Sequence, residues 1–372
     1  MAALGEKLAS AVERRWYSKP GWLYCLYPLE VLFSFVARRR KQQYINAQSR
    51  ARPSIPVVVI GNVTVGGTGK TPTIIAITLY LQSLGKKVGV VSRGYGRKSK
   101  VALVVDENTT LDQAGDEPFL IYSRTHCFVA VAEDRLDAIA LLEASGCDVI
   151  LADDGMQHYR MHRDFEVLLV DGARGFGNGH QLPVGPLREL PDRCASVDWV
   201  LINGKSQHHS IERWLLKPYQ QRDDDSSSGV NVESIGLSPV SLTNLASGDL
   251  VSLDFLRSLR NVVAVAGIGN PQRFFATLKN LGVAFSARIF ADHHWFQATD
   301  FDGLQGAPVI MTEKDAVKCQ KFAKDNWFQL NVEMVISVEW LKAFNHAIDR
   351  CIDEKSRVNG SRSPHSDSGS IK

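Results

Sequence analysis

The amino-acid sequence predicts an α/β protein. Its centre is a mostly parallel sheet with helices on both faces, followed by a smaller α/β domain and preceded by a hydrophobic helix. Three observations predict this. The apolar run IPVVVI leads directly into GNVTVGGTGKTP, residues 61–72, a glycine-rich loop between a buried strand and a helix, so the sheet is of the P-loop NTPase type. Short apolar runs then recur and alternate with helical stretches, the pattern of βαβ units. Finally, the polar stretch QQRDDDSSSG, residues 220–229, separates these from a second set of strand and helix signals.

Taken in order, residues 1–50 are an N-terminal membrane-associating helical segment. The run GWLYCLYPLEVLFSFVA, residues 21–37, precedes Arg38, Arg39, Arg40 and Lys41. It is short for a membrane span and contains Pro28 and Glu30. The positive charges follow the run, unlike a secretory signal. Leu29, Leu32, Phe33 and Val36 share one helical face. Aromatic residues at its start and cations at its end suit an anionic membrane interface; the alternative is a helix covering the core.

Residues 51–222 form the P-loop core domain. Val57 to Ile60 is a buried strand and Thr71 to Ser83 the helix after the loop. Further strands are expected at 87–92, 127–132, 148–152, 166–170 and 199–203, with a helix at 134–144. Residues 223–230 are a linker or insertion, and 231–352 a smaller domain marked by VVAVAGIGNP (262–271), a helix at 272–281 and PVIMTEKD (308–315). From Asp353 to Lys372 the chain is polar and serine-rich, and disorder is expected.

Charge and composition narrow the function. Residues 1–52 carry ten Lys or Arg against three Glu, a balance of +7, so the rest must sum to −4 if the whole chain is +3. The basic excess belongs to one end, which argues against a nucleic-acid surface. Six scattered cysteines, with no C-x-x-C pair, fit free thiols in a reducing compartment.

The loop carries the chemistry. Asn62, Val63, Thr64, Val65, Gly66, Gly67, Thr68, Gly69, Lys70 and Thr71 would cradle the phosphates of a nucleotide. The glycines let N–H groups point inward, and the helix mouth adds its positive dipole end. Lys70 would reach the β- and γ-phosphates and the Thr71 hydroxyl would ligate Mg2+. Thr64 departs from the general pattern, which has glycine there. A magnesium-side carboxylate is expected at a strand end. VILADDG supplies Asp153 and Asp154, ranked ahead of Asp171 in VLLVDG. In AGDEP, Asp116 and Glu117 are either a helix start with an acidic first turn or a base plus a contact near the metal. His158, His293 and His294 are further candidates, and Arg93 and Arg97 in RGYGR either bind an anion or are solvated.

Eight ordered segments, GNVTVGGTGKTP, VVSRGYGRKS, GDEP, DDGMQH, DGARGFGNGHQLPVGPLRE, AGIGNPQRFF, DHHWF and MTEKDAVK, resemble the tetraacyldisaccharide 4′-kinase family of Gram-negative bacteria. Similar kinases carry Ser or Thr at the place of Thr64. They usually have an aromatic residue where Met156 stands. The resemblance implies transfer of the γ-phosphoryl group of ATP to the 4′-hydroxyl of an acylated glucosamine disaccharide 1-phosphate, a lipid A precursor. It implies Asp116 and His293 as a catalytic pair, with Lys70 and Asp154 also catalytic. Thr71, Glu117 and Asp153 would lie around Mg2+, and Arg93, His158 and Arg188 would bind substrate or support the site. ATP and Mg2+ are then the cofactors. The lipid disaccharide and an anionic membrane surface are the partners, with no obligate protein partner, at the cytoplasmic face of the inner membrane as a peripheral or monotopic protein. The rival is a membrane-associated regulatory P-loop ATPase. Such switches carry a second lysine at the loop start, where this chain has Val65.

Overall fold

The computed structural model describes residues 8, 11–46, 52–216, 231–304 and 306–360. The expected linker at 223–230 lies outside the described residues. Strand β1 (Val57–Gly61) is the middle of the first lobe. It pairs in parallel with β5 (Val149–Asp153) on one side and β6 (Phe165–Asp171) on the other. Beyond β5 come β2 (Val88–Ser92) and β4 (Phe128–Val131), edged by the short antiparallel β3 (Leu103–Val104); beyond β6 comes β7 (Trp199–Asn203). Because side chains alternate across a strand, β-branched runs supply both faces at once. Val58, Ile60, Val90 and Leu151 meet one helical layer, and Val57, Val59, Val91 and Ile150 meet the other.

The second lobe has parallel β10 (Val262–Ala266), β11 (Phe285–Ile289), β12 (Val309–Thr312) and the start of β13 (Trp327–Val335). One long strand, β8 (Asn231–Asn244), belongs to both lobes. Residues 231–235 run parallel to β7, and from Gly236 the strand runs antiparallel to β13, with the small β9 (Leu250–Val251) pairing β8 near its end. A continuous sheet therefore passes through the junction, in the order β11-β10-β12-β13-β8-β7-β6-β1-β5-β2-β4-β3.

Two expected boundaries are corrected. The last helix spans Val338–Gly360, so the chain is helical past Asp353; residues 361–372 are outside the described set. The same helix packs on the first lobe rather than closing the second. Trp340, Phe344 and Ile348 join the cluster of Val58 and Ile74, the Phe344 ring lies 5.4 Å from that of Trp199, and Lys355 Nζ donates to the carbonyls of Pro53 and Ile55. Between Asp353 and Gly360 the polar residues continue an amphipathic helix whose apolar positions Trp340, Phe344 and Ile348 repeat every four residues.

The N-terminal helix α1 (Tyr27–Asn46) is amphipathic in an inverted sense. Its buried attachment is polar: the Gln181 N–H donates to Glu30 Oε1 at 2.8 Å, and His180 Nδ1 lies 3.0 Å from Glu30 Oε2. Leu29, Val31, Leu32, Phe35 and Val36 are exposed, with Phe35 at 61% exposure. Phe33 is only half-buried, so the outward apolar surface is broader than the stripe read from spacing. No helix among the described residues is long and apolar enough to cross a membrane.

Candidate active site

The loop after β1 opens onto helix α2 (Lys70–Ser83). Gly66 and Gly69 have φ of 100° and 96°, the left-handed conformation that a Cβ penalises. At Gly69 a Cβ would also stand 2.2 Å from the Asn203 amide nitrogen, which donates to Thr68 O. Thr64 needs no such freedom. It forms an isolated antiparallel bridge with Leu187, while Val65 N donates to Pro186 O and Arg188 N to Val63 O. The GPLRE segment thus holds the first half of the loop in an extended form that suits threonine. Lys70 Nζ donates to Asn62 Oδ1 at 3.2 Å and lies 3.6 Å from Asp154 Oδ1.

A cleft of about 780 Å3 runs from this loop to the second lobe, within the range of small-molecule sites. Lys70, Thr71, Glu117, Asp154, Arg188 and His293 all line it. Asp116 opens helix α3 (Asp116–Thr125) behind Gly115, whose φ is 89°. His293, at φ 61° in the loop after β11, brings Nδ1 to 2.9 Å from Asp116 Oδ2 although 177 positions separate them. The Tyr95 ring lies 4.8 Å from the imidazole. Burial works against the Asp116 carboxylate, but the hydrogen bond with His293 and the charge of Lys314 outweigh it and hold its pKa low. Burial likewise disfavours the His293 imidazolium, yet the bond to Asp116 outweighs it and the net direction is up.

The two aspartates at the end of β5, Asp153 and Asp154, differ sharply. Asp154, at φ 47°, accepts from Arg188 Nη1 at 2.9 and 3.1 Å. Burial raises its carboxyl, but Lys70 and Arg188 dominate and hold it at about 2. Asp153 is pushed up, by burial first and then by the charge of Glu117. Its Oδ1 is buried with no hydrogen-bond partner. Arg135 Nη2 donates to both backbone carbonyls, fixing the turn.

Asp171, the competitor, has another task. It accepts from Arg273 at 2.7 Å and from Asn270 at 3.1 Å, joining the first lobe to the second. Arg93 is exposed and not part of the cleft lining, and Arg97 turns back onto the carbonyls of Lys100 and Val101; the loop's contribution is Tyr95. His158 lies behind the cleft, 3.7 Å from Asp134, its pKa lowered to about 4 by burial and then by Arg135. His294 bonds Asp300 and supports its own loop. Among the described residues no three His, Cys, Asp or Glu side chains cluster as a self-sufficient metal site.

The family model described as tetraacyldisaccharide-1-P 4′-kinase matches residues 22–352. The chain belongs to the tetraacyldisaccharide-1-P 4′-kinase family. It is 42% identical over 353 residues to the tetraacyldisaccharide 4′-kinase of Pseudomonas putida (strain GB-1), covering 94% of this chain and 99% of that one. To the tetraacyldisaccharide 4′-kinase of Aliivibrio fischeri (strain MJ11) it is 43% identical over 319 residues, covering 84% and 90%. Among solved structures, LpxK from Aquifex aeolicus, crystallised in complex with ATP, superposes with a TM-score of 0.70 at 28% identity, covering 89% of this chain and 99% of that one.

Within this kinase family fold, sequence reasoning missed the cationic and anionic groups that complete the cleft. Lys314, in the first turn of the helix Glu313–Cys319, lies 3.0 Å from Glu117 Oε1, 3.6 Å from Asp292 Oδ1 and 3.9 Å from Asp116 Oδ2. Burial lowers the pKa of its ammonium, but these carboxylates more than reverse that. The segment MTEKDAVK carried the signal, but nothing in its spacing indicates that its lysine meets AGDEP across the lobes.

Proposed function

We propose that this kinase transfers the γ-phosphoryl group of ATP to the 4′-hydroxyl of an acylated glucosamine disaccharide 1-phosphate, in the cleft between its lobes. The observation that carries the proposal is the Asp116–His293 contact, whose histidine lines the same cleft as the phosphate-binding loop in a chain of this family. The loop N–H groups and Lys70 bind the triphosphate, and Lys70 stabilises charge on the transferring group. Asp116, kept ionised, takes the proton of the acceptor hydroxyl as oxygen bonds to phosphorus. Arg188 holds Asp154 beside Lys70.

The residues fit a magnesium ion: the buried Asp153 Oδ1 has no partner, the charge of Glu117 reaches Asp153, and Glu117 and Thr71 both line the cleft. When bound, Mg2+ neutralises charge on the β- and γ-phosphates. Asp153, Glu117 and Thr71 are the residues that would hold it. The test is incubation of the purified protein with γ-labelled ATP, Mg2+ and the lipid disaccharide. Label on the 4′-oxygen of the lipid is the expected result. Release of labelled phosphate with none on the lipid would support the ATPase alternative instead.

The outward apolar face of α1 rests on an anionic membrane surface, presenting the cleft to a lipid acceptor. Arg38, Arg39 and Arg40 are exposed on this helix, whereas Lys41 is drawn to Glu189 at 3.8 Å. Replacing the three arginines by Gln is expected to remove about 1 kcal/mol each of attraction to anionic vesicles, read as weaker co-sedimentation and a flatter salt dependence. Unchanged sedimentation at low salt would leave only apolar contacts to hold the helix at the bilayer.

A further inference from the structure

The N-terminal segment ahead of α1 reaches the phosphate-binding loop through one side chain of the first lobe. Residues 11–16 are helical. Their end is fixed to the first lobe, where Trp16 Nε1 donates to Pro183 O at 3.0 Å and Asn178 N donates to Trp16 O at 2.7 Å. From this base Glu13 and Tyr17 both meet the guanidinium of Arg174. Nη2 donates to Glu13 Oε1 at 2.9 Å, and the guanidinium carbon lies 4.8 Å from the centre of the Tyr17 ring. Nη1 donates at 3.1 Å to the carbonyl of Gly269, in the second lobe. A guanidinium can serve all three, because its donors lie in one rigid plane whose face is free to cover an aromatic ring.

Gly269 stands where the second lobe touches the phosphate-binding loop. A Cβ there would lie 2.7 Å from Gly67 N and 3.3 Å from Gly66 Cα, so the two backbones meet with no room for a side chain. The turn that presents Arg174 is held as well. Asp171 Oδ1 accepts from Ala173 N and Arg174 N, while its Oδ2 takes Asn270 and Arg273 of the second lobe. The two Nη atoms of Arg174 thus join the N-terminal segment to the second-lobe backbone that abuts Gly66 and Gly67.

We propose that Glu13 and Arg174 are positioning residues for ATP binding: Glu13 aims the guanidinium at the Gly269 carbonyl, and the pair holds the second lobe against the phosphate-binding loop. The inference rests on that loop as the ATP site. Both lobes line the cleft, so a nucleotide in it is bound by the arrangement in which they meet. Its apparent affinity falls with the fraction of molecules in that arrangement, and saturating nucleotide restores the fraction. Loss of the latch therefore weakens ATP binding and spares kcat. The segment runs on through Gly21–Leu26 into α1, so the stretch of chain that leads to the apolar helix also sets the nucleotide site.

The rival role for Arg174 is that of a simple positive charge beside Gly66, and the two roles differ in sign. Removing the Glu13 carboxylate would then leave the arginine uncompensated and strengthen ATP binding, whereas the latch requires that binding weaken. Equilibrium dialysis of the whole chain against adenine-labelled ATP and Mg2+, without lipid acceptor, reads this even if label never reaches the lipid. Glu13→Gln is expected to raise the Kd for ATP about threefold, the scale of a half-exposed ion pair. Arg174→Met is expected to raise it about tenfold, the scale of one charge-assisted hydrogen bond. Adding Glu13→Gln to Arg174→Met should change nothing further. Arg174→Lys should stay close to Arg174→Met, because a point charge lacks the fork. In the kinase assay KM for ATP should rise while kcat at saturating ATP stays within about twofold. An unchanged or lower Kd in Glu13→Gln overturns the inference, and so does full recovery by Arg174→Lys. The Glu13 side chain is 47% exposed, so its variant decides the matter even if Arg174→Met does not fold.

Discussion

Asp116→Ala is expected to lower kcat by roughly 10²- to 10⁴-fold, the range of a lost general base, with KM for ATP nearly unchanged. A sugar hydroxyl is a poor nucleophile until its proton is taken as the bond to phosphorus forms. The Asp116 carboxyl is held low by the His293 bond and by Lys314 against the cost of burial. It is therefore ionised throughout the neutral range. His293→Ala should cost less, since it removes the orienting partner and leaves the base. As the two share one short contact, 2.9 Å between Nδ1 and Oδ2, their effects should be far from additive. The double variant should be scarcely slower than Asp116→Ala alone. Strictly additive losses in the kinetic cycle would assign the two residues separate tasks.

Lys70→Ala is the second large effect, with a loss of roughly 10²- to 10³-fold in kcat, the scale for removing one preorganised electrostatic donor. Phosphoryl transfer offers the protein little covalent work, so positioning and charge stabilisation carry the catalysis. Lys70 Nζ sits between Asn62 Oδ1 and Asp154 Oδ1, and its loss leaves Asp154 to Arg188. The fold should survive, because Lys70 begins α2 and that helix is held by the buried Ile74, Ile77 and Leu81. Near-normal turnover of folded Lys70→Ala at saturating ATP and Mg2+ would rule out this role.

The local elements were legible because each rests on a short-range pattern. Val57 to Ile60 is β-branched throughout and leads into a loop whose left-handed positions, Gly66 and Gly69, are both glycine. Such features need no information from elsewhere in the chain. The polarity of α1 shows the limit of the same logic. Glu30 reads as a charge interrupting an apolar run, yet it is the buried attachment point, because His180 and the Gln181 N–H are there to receive it. The last helix shows it again: its apolar residues find their partners in Trp199 and Val58 of the first lobe, which no local composition announces.

By itself the amino-acid sequence determined the parallel sheet, the phosphate-binding loop and the eight ordered motifs by which the family is legible. Continuous apolar strand runs, glycine conformation and helix-start chemistry act over a few residues and are written locally. Only the tertiary structure decided what the scattered charged residues do. Asp171 and Asp153 both end apolar strands, but Arg273 and Asn270 reach the first while Oδ1 of the second is left buried and unpartnered. Asp116, His293 and Lys314 come from three distant segments, and their mutual distances set the charge they carry. Electrostatic interactions depend on separation and burial, which the chain acquires only when its two lobes fold against one another.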